Sequence, residues 1–304
     1  MAQESLRQPT ASEMGRAKSP RRSAGRVLGP IAGKALAYLA LLAVSAATLL
    51  PLVWSVASSF VPLNDIYKYA VPFSWHAFLP TNFTLQAYQD LWASSYPRSL
   101  FNTVLVCAVT VVAGIAINSL AGFAFAIFKF PGKRTLFILV LITFLVPFEV
   151  LALPLFVIIN TLHLDNSYQA LILPALANGI VVFLFRQFFM DTPRELLEAA
   201  RIDGLGWFGV YMRIVIPIST PVMVSAGLVL FLSQWQAFFW PLLVTNSPNY
   251  QMVQVALSNF SGQYVTKWND IFAGSVIATI VPLVLLLALQ RHYVRTIART
   301  GLTD

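Results

Sequence analysis

The chain has 304 residues, of which 58% are hydrophobic, 13% aromatic and only 11% charged, with a mean hydropathy of +0.72. Soluble domains carry about one quarter charged residues, so this composition excludes an ordinary soluble enzyme and a disordered chain alike. The net charge is +8, a balance that points to nucleic acid only if membrane topology does not explain it first. One cysteine, Cys107, excludes disulfides within the chain and any Cys-rich metal site. His76, His163 and His292 lie too far apart in sequence to form a local ligand pair.

Residues 1–30 are polar, rich in Arg, Ser and Pro, and lack apolar periodicity, which predicts a disordered basic tail. A membrane helix needs ~20 mostly apolar residues. No charge occurs between Lys34 and Asp65, or between Arg98 and Lys129, a gap of 30 residues in each case. The run over 35–61 is too long for a signal-peptide core of ~7–15 residues and reads as an uncleaved anchor. Residues 62–97 then form an aromatic, Pro-rich external segment, closing a first region of 31–97.

Between Arg134 and Asp165 the only charge is Glu149, while Asp165 to Arg186 and Asp270 to Arg291 each leave 20 uncharged residues. The 53-residue gap from Arg213 to Lys267 is broken by the polar stretch 246–251, so only about 218–244 reads as a span. Six transmembrane helices follow, five of them within a core of 98–290, ahead of a C-terminal tail of 291–304. The fold class is all-α, polytopic membrane protein.

Basic residues orient the spans. With the N-terminus inside, 17 of the 20 Lys and Arg fall on cytoplasmic segments and three, Lys68, Arg98 and Lys267, on external ones. Both termini are therefore expected in the cytoplasm. The asymmetry also accounts for the basic balance without nucleic acid.

The long cytoplasmic loop, 186–217, is the most patterned part of the chain. Thr192-Pro193-Arg194-Glu195 has the form of a capping box with Thr192 as N-cap. A helix is expected to follow, with Arg194 and Glu198 paired at i,i+4 and Gly204 ending it in the left-handed region. Leu196, Leu197, Ala200 and Ile202 are its expected apolar contacts. Gly204-x-Gly206-x-x-Gly209 matches a dinucleotide-binding pattern, but no strand precedes it and the next acid is Asp270. No G-x-x-x-x-G-K-[ST] occurs, so ATP is not bound here by a P-loop.

Glu198-Ala199-Ala200-x-x-x-Gly204, nine residues, then Ile214-x-Ile216-Pro217 resembles the EAA loop of bacterial ABC-importer permeases, with Ile216 where leucine is usual. The resemblance extends over 83–304 and includes FTLQAYQDLW at 83–92, Arg186-Gln187-Phe188-Phe189, Trp240-Pro241-Leu242 and Gln290-Arg291-His292-Tyr293-Val294. These flanking features are similar to the carbohydrate-import, maltose-type branch, which implies the type I importer permease fold in the bacterial inner membrane. The resemblance implies that Glu198, Ala199, Ala200, Asp203, Gly204, Ile214 and Pro217 couple to a cytoplasmic ATPase. It implies a second permease subunit, two ATPases that use ATP-Mg, and a solute-binding protein that meets the 62–97 segment; this chain itself binds no cofactor or metal.

Polar groups within spans are costly and mark candidate pathways. Glu149, between Pro147 and Pro154, costs ~3 kcal/mol on insertion scales if unpaired; it lines a pathway or is a hydrogen-bonded structural group. Asn178, Gln234, Trp235, Gln236 and Trp240 are further candidates, with Asn102 and Asn118. The Gln234-Trp235-Gln236 cluster combines amides with a flat aromatic face, which suits a pyranose. Asparagines in membranes also serve helix packing. Alternatives are import of a non-sugar solute such as a glycerol phosphate, or a secondary transporter, although the latter is expected to pair ionisable groups within its spans.

Overall fold

A computed structural model describes residues 28–70, 74–262 and 265–300, with side chains over 33–68, 74–262 and 265–290. The expected tail at 1–30 lies almost wholly outside the described residues, as do 301–304. Two compact units divide at Leu52/Val53. The described part of the first is the helix α1 (Leu28–Ser58) up to Leu52, whose side chains are exposed throughout: Leu36, Leu39, Leu42 and Leu49 among them. A helix apolar on all sides and exposed in isolation is one that a bilayer covers.

The second unit holds the end of α1 and everything after it. The external segment folds as α2 (Leu63–Ala70), a 3₁₀ turn at Trp75–Ala77 and α3 (Gln86–Ala93), which buries Ala87 and Leu91. Then come α4 (Tyr96–Ile127), α5 (Lys133–Leu145), α6 (Phe148–Thr161), α7 (Tyr168–Leu176) and α8 (Gly179–Met190). The cytoplasmic loop carries α9 (Arg194–Ile202), α10 (Trp207–Val210), a π-helical turn at Tyr211–Val215 and α11 (Ile216–Ile218). Last are α12 (Thr220–Trp235), α13 (Phe239–Val244), α14 (Val253–Ser258) and α15 (Trp268–Thr300). Segment 291–300, expected as a tail, thus continues the last helix in its backbone.

Three of these are long and apolar enough to cross a membrane unbroken: Gly33–Ser58, Tyr96–Ile127 and Trp268–Gln290. Three bent pairs raise the number to six: α5 with α6 at 101°, α7 with α8 at 42°, and Trp207–Ile218 with α12 at 82°. The expected fifth span, 218–244, is shorter than the sequence suggested. It stops at Trp235, with Gln236 as C-cap, and a separate short helix begins at Phe239. The first break is set by a proline: Val146, before Pro147, is extended at φ −79°, ψ 122°.

The helix α4 is the post around which the rest packs. Its buried residues include Ser99, Asn102, Thr103, Val106, Thr110, Gly114, Asn118, Ser119, Gly122 and Phe123, spaced at three and four so that they share one face. Small groups let helices approach closely. A Cβ on Gly122 would lie 2.6 Å from the Cβ of Phe185 on α8.

The polar members of this face tie down irregular backbone. Asn118 donates from Nδ2 to the Leu176 carbonyl (2.7 Å) and accepts the Asn178 N–H at Oδ1 (2.9 Å), spanning the break between α7 and α8. Asn102 donates to the carbonyls of Asn249 (2.8 Å) and Gln251 (3.0 Å), and Thr103 accepts the Val253 N–H (2.8 Å). Thr110 Oγ1 is the exception, buried without a partner. Replacing Asn118 by Leu leaves the Asn178 N–H and Leu176 carbonyl unpaired, at roughly 1–3 kcal/mol each. Asn118→Leu is therefore expected to lower the thermal midpoint of the detergent-solubilised protein by several degrees more than Ser225→Ala, a half-buried position whose hydroxyl bonds only a carbonyl of its own helix; equal midpoints would show that Asn118 does not hold the break.

Candidate functional site

The loop 186–217 is joined to the membrane core through one continuous apolar cluster. Leu197 and Ala200 of α9 are buried together with Phe123 of α4, Phe185 and Phe189 of α8, and Val222 and Ala226 of α12. The spacing from 197 to 200 places both on one side of the helix. The opposite side carries Glu198, Ala199 and Ile202, all exposed, the last at 87%. The contacts expected of this helix thus divide: Leu197 and Ala200 face inward, while Leu196 and Ile202 stay open.

The turn after α9 is tightly specified. Gly204 has φ +87°, where a Cβ is strained. The Leu205 N–H donates to the Ala200 carbonyl and the Gly204 N–H to the Arg201 carbonyl, each at 3.1 Å, which is the Schellman pattern. Arg201 donates to the Leu205 carbonyl at 2.7 Å and its guanidinium lies 5.0 Å from the Trp207 ring centre, holding the two short helices in register. Asp203, the C-cap, is exposed. Ile214 packs at the edge of the main cluster, and the exposed Pro217 opens α11. Tyr211, in the π turn, bonds its hydroxyl to that of Ser119 on α4 at 2.7 Å.

Two expectations about the start of this helix are corrected. The capping box does not form: Pro193, with ψ 127°, is the N-cap, and the Thr192 hydroxyl instead donates to the Phe188 carbonyl at 3.4 Å. A proline ring with extended ψ cannot serve as the first helical residue. The Arg194–Glu198 ion pair is also absent. Both side chains are exposed, and a solvated i,i+4 pair gains only ~0.3–0.5 kcal/mol, too little to fix long side chains.

Several of the pathway candidates gather around α7. Gln234 is buried and donates to the Leu171 carbonyl at 2.9 Å; Trp240 is buried and its indole N–H donates to the Ala170 carbonyl at 2.9 Å. Phe148, next to Glu149, packs edge-on against Trp240 at 5.8 Å. Trp235 is buried and stacked on Phe231. Asn178 lies apart from them, capping α8 by accepting the N–H groups of Ile180 and Val181. Only Glu149 and Gln236 of the six are exposed. Sequence reasoning missed Tyr168, which donates to Asn102 Oδ1 at 2.8 Å and accepts from Arg98 at 3.3 Å; a tyrosine following an N-capping serine gives no local sign of such a link.

Residues 114–299 match the family of binding-protein-dependent transport system inner membrane components. The chain belongs to that family. It is a membrane-spanning permease subunit of an ABC importer, a transporter component rather than an enzyme. It is 34% identical to the arabinooligosaccharides transport system permease protein of Halalkalibacterium halodurans, over 85% of this chain and 90% of that one. It is 31% identical to the sn-glycerol-3-phosphate transport system permease protein of Agrobacterium fabrum, over 89% and 98%. A bacterial ABC transporter that imports the acidic polysaccharide alginate shares the fold, with a TM-score of 0.74 at 20% identity over 87% of this permease and 96% of that chain.

Nothing lies within 4 Å of a Cβ built on Gly204, so conformation alone penalises a substitution there. Gly204→Ala is expected to cost about 1–2 kcal/mol and Gly204→Asn less, because Asn tolerates the left-handed region. Hydrogen exchange of α9 and α10 in the solubilised permease checks this: the order Gly, Asn, Ala in protection is expected, and equal protection in all three would remove the left-handed requirement.

Proposed function

We propose that this permease imports a carbohydrate and transmits ATP-driven motion through its cytoplasmic loop. The observation that carries the coupling reading is the two-sided α9. Leu197 and Ala200 belong to the core that holds the spans, while Glu198, Ala199 and Ile202 face outward. A helix locked into one body and open on its other side transmits force if a partner seats on the open side. Glu198, Ala199 and Asp203 would meet an ATPase that binds ATP-Mg. Gly204, Ile214 and Pro217 would hold the second helix in place behind them.

Carbohydrate is favoured by the relatives whose names give arabinooligosaccharides and by the neighbour that imports alginate. A glycerol phosphate is the second reading, supported by similarity spanning 98% of the Agrobacterium fabrum protein. Glu149 and Gln236, the exposed candidates, would contact the solute. Asn178, Gln234, Trp235 and Trp240 would shape the pathway by fixing α7 and α8. A second permease, two ATPases and a solute-binding protein that meets the 62–97 segment complete the importer in the inner membrane, and the 17-to-3 division of basic residues supports both termini inside.

In the assembled importer, Glu198→Lys and Gly204→Asp are expected to insert normally yet lose uptake and weaken ATPase pull-down. Wild-type uptake and pull-down in both would refute coupling through this loop. Uptake of labelled arabinooligosaccharide against sn-glycerol 3-phosphate separates the two substrate readings. For topology, Gln89 is exposed whereas neighbouring Ala87 is buried. A Gln89→Cys thiol should react with an impermeant reagent outside intact cells, and the native Cys107, buried in α4, should give little background. A Gln89→Cys thiol that reacts only after the membrane is opened would reverse the orientation.

A further inference from the structure

Four cations converge where the turn between α4 and α5 meets the end of α8 and the start of α9. Lys133 lies within electrostatic reach of Arg186, Arg194 and Lys129, and no acid acts on it comparably. Among the described residues, none of the four forms an ion pair with a carboxylate within 4.0 Å. Lys133 donates to the carbonyls of Phe128 (2.8 Å) and Ala126 (3.4 Å), which fixes its ammonium at the end of α4. Arg186 sits 4.1 Å from the ring centre of Phe137, and its Nε is buried without a hydrogen-bond partner. Beside them opens a cleft of about 230 Å³ lined by Lys129, Arg194, Phe189, Met190, Trp207 and Glu198.

Like charges held together in one place repel unless an anion joins them. The positive-inside tendency needs basic residues on the correct side of the membrane but does not need them to converge. Exposed apolar side chains of α5, among them Leu136, Leu139 and Ile142, run away from the cluster, as the wall beside an acyl chain does. We propose that Lys129, Lys133, Arg186 and Arg194 form a binding site for the headgroup of an anionic phospholipid. The proposal takes from the preceding section only which leaflet supplies that lipid.

Native mass spectrometry of the purified full-length permease, offered phosphatidylglycerol and phosphatidylcholine together, tests it. Lys129 and Arg194 are exposed and support no other contact, so Lys129→Gln/Arg194→Gln should fold like the wild type, checked by its thermal midpoint in lipid-free detergent. The wild type should retain phosphatidylglycerol preferentially. The double variant should lose roughly fivefold in affinity per cation removed, and Lys129→Arg/Arg194→Lys should keep it. Equal retention of the two lipids, or unchanged phosphatidylglycerol binding in the double variant, overturns the site. Displacement by millimolar inorganic phosphate with no lipid preference would assign it to a soluble anion instead and refute the lipid. None of these readouts depends on uptake, so failure here and failure of the import reading are separable.

Discussion

An irregular stretch of backbone at membrane depth must find its hydrogen bonds inside the protein or from water in a cavity, because hydrocarbon supplies none. The buried face of α4 meets much of that need. Asn118 serves the break between α7 and α8, Asn102 the segment after α13, and Thr103 the start of α14. Ser119 anchors the π turn through Tyr211. In water such groups would be replaceable, since solvent pairs whatever the protein leaves unpaired. At membrane depth the same amides and hydroxyls specify which segment lies against which.

That arrangement gives the cytoplasmic loop a fixed base. Phe123 and Ser119 are neighbours on α4; the first packs in the cluster that receives Leu197 and Ala200, and the second bonds Tyr211. The two short helices of the loop are therefore attached to α4 at separate points, one apolar and one polar. Interiors packed to crystal-like density transmit displacement rather than absorb it. Rigidity here does not come from the features most visible in the sequence. The Thr192 cap and the Arg194–Glu198 pair are absent, and the Schellman turn at Gly204, the Arg201–Trp207 contact and the buried pair of small and branched side chains replace them.

What was legible in the sequence and what was not divides on physical lines. Gaps between charges revealed the spans because the cost of a charge in hydrocarbon is large and local. Gly204 was legible because few residues tolerate φ +87°. The breaks were less so. Pro147 marks one and Pro217 flanks another, at Ser219, but the third, at Ala177–Asn178, contains no proline and depends on Asn118, some 60 residues away. Gln234 and Trp240 read as candidates for the pathway because polar groups are costly within a span. Their donors are spent on the carbonyls of Leu171 and Ala170, partners that no local pattern reveals.

The three bent pairs also differ in how their breaks are satisfied, and the difference bears on Glu149. The break between α7 and α8 is closed from within by Asn118 and Asn178. At 146–147 no side chain of another element donates or accepts among the described residues, the bend is 101°, and Glu149 stands exposed in the first turn of α6. The amide end of a helix favours an acid, which offsets part of the cost of placing a carboxylate in a span. It does not supply partners for the last carbonyls of α5. Irregular backbone at membrane depth persists only where protein covers it or water reaches it. Among the described residues Val146 is half-buried while Pro147 and Glu149 are exposed. The break at Pro147 is thus closed less fully from within the chain than the break at Ala177–Asn178, which Asn118 and Asn178 satisfy.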